Sequence, residues 1–124
     1  MLARYTMVRG APASQLPKGV RQDTRKHTRH VLRPTAELVE AVLGHDDAAA
    51  WRDFAKAYHE LLAERFAEDR TPFDALADLA RSERVYLGCN CPTAKQPDVR
   101  RCHTVLALAF MREKYPDLEV VEPK

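Results

Sequence analysis

At 124 residues and 14.1 kDa, with 45% hydrophobic and 31% charged residues, the chain suits one soluble domain with a core and is short for two. No apolar run approaches the roughly 18 residues of a membrane span, and a net charge of +2 is too mild to mark a nucleic-acid binder by itself. Three cysteines cannot all pair within one chain, so catalytic, metal-binding or buried roles outrank a disulfide framework.

The chain opens on Met1 to Val8, which lacks the apolar region of a secretory signal and reads as a first strand; a cytoplasmic location is expected. Gly10 to Gly19, rich in glycine and proline, reads as an exposed connector or lid. The run Arg21 to His30 is strongly basic and has almost no apolar anchor, so its secondary structure stays unassigned and residues 10–34 together read as a basic loop or lid. Thr35 can cap a helix that carries Leu38, Val39 and Val42 and stops at Gly44. Asp46 or Asp47 can cap a longer helix, whose Trp51, Phe54, Ala55, Tyr58, Leu62 and Phe66 follow the spacing of a buried stripe. His45-Asp46 is explained by the same capping, and His59 has no evident partner.

Thr71-Pro72 signals a third helix, with Thr71 as cap and Phe73, Leu76, Ala77 and Leu79 facing inward, ending near Arg81-Ser82. Val85 to Cys89 reads as a buried strand, Val99 to Tyr115 as the last helix, and Leu118 to Val121 as a short final strand. Strands joined through helices imply right-handed crossovers, hence an α/β domain with a small, mostly parallel sheet, Rossmann-like in three layers.

Chemistry concentrates between the later strand and the last helix, where Cys89, Cys91, Cys102 and His103 gather. Ligands of open α/β sheets bind beyond the carboxyl ends of strands, and Cys89 and Cys91 lie at such an end. Gly88 serves either close ligand approach or tight packing. If Asp98 caps the last helix, Cys102 joins Val105, Leu106, Ala109 and Phe110 on the apolar stripe. If the helix begins nearer Arg101, the thiol lies in the first turn beside Arg100, Arg101 and His103, where charge and dipole favour a thiolate nucleophile. The same four residues are a soft ligand set for zinc, although a one-residue gap followed by two adjacent ligands departs from usual spacings.

Leu32 to Leu38, the block from Gly44-His45-Asp46 to Tyr58, and Val85 to His103 resemble the YeaO-like family, a domain of unknown function, over about Val31 to Pro123. The resemblance implies an α/β fold and matches Cys102-His103 to a cysteine-histidine pair after the later strand. It puts Asp23 and Arg25 at the place of an aspartate-arginine in relatives, but the tryptophan-proline-arginine-glycine turn found there is missing. Some relatives lack the full cysteine set, which weighs against zinc, and the family supplies no established reaction.

Three functions remain open. The first is an enzyme or binder of a phosphate-bearing small molecule or nucleotide, with Arg25, Arg29, Arg100 and Arg101 on the anion, Cys91 nearby, and Cys102 or Cys89 as nucleophile beside His103. The second is a nucleic-acid-associated module using the basic segment. The third is a zinc-stabilised domain without catalysis.

Overall fold

A computed structural model describes residues 1–42, 47–93 and 97–123. Three strands, β1 (Leu2–Thr6), β2 (Val20–Asp23) and β3 (Val85–Cys89), form a parallel sheet in the order β1-β3-β2. Four helices flank it: α1 (Ala36–Val42), α2 (Ala48–Glu68), α3 (Thr71–Ser82) and α4 (His103–Lys114). Among the described residues no helix is long and apolar enough to cross a membrane.

The expected α/β class holds, and the register explains where a site can form. Leu2 and Val20 both lie beside Val85, while Thr6 lies beside Cys89 and Asp23 beside Gly88. All three strands therefore end at one edge, where a parallel sheet leaves backbone amides and side chains open to a ligand. β3 is central and almost wholly buried, which is why its sequence runs apolar without alternation.

Two expectations need correction. The segment 10–34 is not loop throughout, because residues 20–23 form the edge strand β2. Its exposed Arg21 and half-buried Gln22 conceal it from a hydrophobicity reading. Residues 7–19, of which Gly10 to Gly19 read as connector or lid, are the crossover that returns the chain to the start of β2, as parallel pairing demands. Gly19 makes that entry feasible: its φ is +146°, and a Cβ there would come within 2.4 Å of the Arg84 carbonyl oxygen. Leu118 to Val121 is not a strand but a single parallel bridge between Leu2 and Val120.

The helices follow their capping chemistry. Thr35 accepts from the Leu38 amide and Asp47 from the Ala50 amide, each satisfying a free first-turn donor. Gly44, His45 and Asp46 lie outside the described residues. At α3 the cap differs from expectation: Thr71 is already helical, and Asp69 accepts from its amide. The core joins Leu2, Val85 and Leu87 of the sheet to Tyr58, Leu62, Phe73, Leu108, Phe110 and Met111 of the helices. Ala109, expected inward, is exposed, and His59 does have partners, Glu113 at 3.7 Å and the edge of Phe110.

Candidate functional site

Cys89 ends β3, and its thiol lies 3.9 Å from that of Cys91 in the following loop. Cys102 stands immediately before α4, between a short turn (Val99–Arg101) capped by Asp98 and the first helical residue, His103. The last helix thus starts later than either sequence alternative placed it, with Cys102 buried at its cap position. The three sulfurs lie within 4.8 Å of one another. Nδ1 of His103 sits 3.7 Å from the Cys89 sulfur and 4.0 Å from that of Cys102.

Side chains of β1, of Thr24 just past β2 and of Thr104 in α4 fix this cluster. Nε2 of His103 donates to the Thr24 carbonyl at 3.0 Å and lies 2.9 Å from the Thr24 hydroxyl, which itself donates to the Gly88 carbonyl. The Nε2 proton is thereby assigned, and Nδ1 is left facing the sulfurs. The Thr104 hydroxyl donates to the Cys102 sulfur at 3.1 Å and accepts from Nε of Arg4 at 2.9 Å. Arg4 also donates to the Cys91 carbonyl at 2.7 Å, as does Thr6. Among the described residues Arg4 has no carboxylate partner, so its charge is spent on this end of the sheet.

These contacts set the protonation pattern. Hydrogen bonds from the Cys89 and Cys91 thiols, helped by His103, push the Cys102 thiol well down against its burial. The Cys91 thiol is pushed up by its hydrogen bonds to Cys102 and Cys89 and by burial. Burial pulls His103 down, but its bonds to Cys102 and Cys89 outweigh it and raise the imidazole to about 9. The Cys102 sulfur is thus the acceptor of the cluster, with the Thr104 hydroxyl at 3.1 Å and the His103 ring at 4.0 Å beside it.

The cluster opens into a hollow of about 280 Å³. Cys89, Cys91, Cys102 and His103 form one side, Val39, Val42, Trp51 and Phe54 an apolar wall, and Arg25, Lys26 and Arg101 a cationic margin that His27 adjoins. Trp51 and Phe54 stack at 5.3 Å between centroids. The loop behind the margin is held by its carbonyls: Tyr58 donates to that of Leu32, and Arg65 to those of Val31 and Arg33.

Of the arginines singled out by sequence, Arg25 and Arg101 reach this hollow. Arg29 lines a separate depression with Arg33, Arg65 and Glu68, and Arg100 is exposed and paired with Asp98. Arg25 is itself bound to Asp23 at 2.8 Å, which holds the Asp23 carboxyl below its usual range. Gly88 serves packing: a Cβ there would come within 2.9 Å of Met7 and Tyr5 side-chain atoms. Sequence reasoning missed Arg4, Thr24 and Thr104 as site residues; the one visible signal was an arginine inside a short apolar strand.

A family model described as the active DUF488-N3 subclade matches residues 4–115. The chain belongs to the DUF488 family. The YeaO-like resemblance is thereby shown, and the match takes in the end of β1 and all of β2, beyond the portion where the resemblance was legible. No curated protein and no solved structure matches the chain significantly.

Proposed function

We propose that this DUF488 protein is an enzyme acting on a phosphate-bearing small molecule, nucleotides being the best fit, with the Cys102 thiolate as the attacking group. The observation that carries this reading is the joining, in one hollow, of a thiolate side, an aromatic wall and a cationic margin. A volume of about 280 Å³ suits a small ligand. Arg25, Lys26 and Arg101 complement phosphate, and Trp51 offers a flat face to a base. Cys102 lines the hollow from an almost fully buried position and has three features of an activated thiol: a depressed pKa, a hydroxyl donor at 3.1 Å and an imidazole beside it. The subclade's description as active agrees with catalysis.

Trp51 is the chain's sole tryptophan and reports the hollow directly. Titration with ADP should change its fluorescence, and Arg25→Gln and Arg101→Gln should each weaken binding about tenfold, roughly 1.4 kcal/mol. A flat response to ADP, AMP and sugar phosphates alike would overturn the proposal. Steeply salt-dependent binding of oligonucleotides, with no response to mononucleotides, would favour the nucleic-acid module instead.

A further inference from the structure

We infer that Cys89, Cys91, Cys102 and His103 form a binding centre for a soft divalent cation, zinc being the chemical type. This goes beyond the proposed function and does not rest on it: the metal-loaded protein holds Cys102 as a ligand, whereas the proposed chemistry uses the metal-free thiol. Zinc takes thiolate and imidazole donors in a tetrahedron with Zn–S bonds of about 2.3 Å, which sets neighbouring sulfurs about 3.8 Å apart. The Cys89 and Cys91 sulfurs are 3.9 Å apart, and the full set of three spans no more than 4.8 Å.

The surroundings supply the independent observation. A histidine that ligates through one nitrogen characteristically donates its other N–H to a carbonyl or carboxylate, which fixes the tautomer. His103 does so: Nε2 is committed to the Thr24 carbonyl at 3.0 Å, while Nδ1 is directed at Cys89 and Cys102. The Thr104 hydroxyl bond to the Cys102 sulfur is the corresponding outer-shell support for a thiolate ligand. Sequence spacing argues against zinc only when ligands must come from one hairpin or one helix. Here the strand end, the loop and the helix start bring three thiols together from separate elements, with His103 Nδ1 beside those of Cys89 and Cys102. The metal replaces protons otherwise shared within the cluster, and a metal-bound thiol is deprotonated outright.

Cobalt(II) titration of the reduced full-length chain tests the centre. One cobalt per chain should bind with the intense visible bands of a tetrahedral site and thiolate-to-cobalt charge transfer, and zinc should displace it. Cys91→Ser, at the most accessible of the three thiols, should weaken cobalt binding about tenfold or more. Thr104→Val keeps every ligand and should bind cobalt tetrahedrally with reduced affinity. Absence of thiolate charge transfer in the folded wild type, or an identical spectrum and affinity in Cys91→Ser, would overturn the inference. ADP binding without a cobalt spectrum removes the metal centre alone; a cobalt spectrum without ADP binding supports the centre and removes the ligand pocket alone.

Discussion

The floor of the hollow and its margin are built by different means. The floor groups are buried or nearly so, and each is held by partners far away in sequence: His103 by Thr24, Cys102 through Thr104 by Arg4, the Cys91 carbonyl by Arg4 and Thr6. Margin cations sit on long, partly exposed side chains, and Arg25 takes its partner from two residues away. Buried polar groups must be matched because an unpaired one costs about 1–3 kcal/mol, whereas exposed ion pairs contribute about 0–1 kcal/mol. The floor is accordingly part of the fold, while the margin can rearrange around a ligand at little cost to stability.

Substitutions sharpen this contrast, beginning with the largest expected effect. His103→Ala removes a buried ring and its bonds to Thr24, and should cost about 3 kcal/mol in urea unfolding. A loss below about 1 kcal/mol would mean that the ring is not held as described. Thr24→Val keeps the shape but removes the hydroxyl that serves Gly88 and His103, and about 2 kcal/mol should be lost by the same assay.

The loop between floor and margin supplies a pH test. Burial, the largest cause, lowers His30 to about 4, and the ring is neutral while its Nδ1 accepts from the Leu32 amide and its Nε2 meets Gln22. The unfolded chain binds this proton below about 6.5, the folded chain only near 4. Stability should therefore be full above 6.5 and fall as pH drops toward 4, by up to about 2 kcal/mol at pH 5 from this residue. Urea midpoints at pH 7 and pH 5 read the effect, and His30→Gln should reduce the difference between them. An unchanged difference in that variant would assign the loss elsewhere.

The smallest stability effect belongs to the margin. Arg25→Ala should change unfolding free energy by less than about 1 kcal/mol while weakening ADP binding. If it destabilises the fold as much as His103→Ala, the distinction between floor and margin collapses.

The same distinction explains what the sequence revealed. The amphipathic helices and β3 were legible because apolar spacing records burial, and the cysteine cluster because its members flank a strand end and a helix start. Strand β2 was hidden because Arg21 and Gln22 belong to a half-exposed edge. The partnership of His103 with Thr24 spans 79 residues and has no local signature. Arginine positions were the least legible: Arg29 and Arg100 stand near Arg25 and Arg101 in sequence, yet local backbone turns send them elsewhere.

The claim that thiols and cationic margin share one hollow is tested most directly by a short bifunctional thiol reagent such as dibromobimane. Applied to folded, reduced protein treated with a chelator, it should bridge Cys102 to Cys89 or Cys91, and ADP should slow the reaction. Single-thiol adducts alone, formed at a rate indifferent to ADP, would contradict the account.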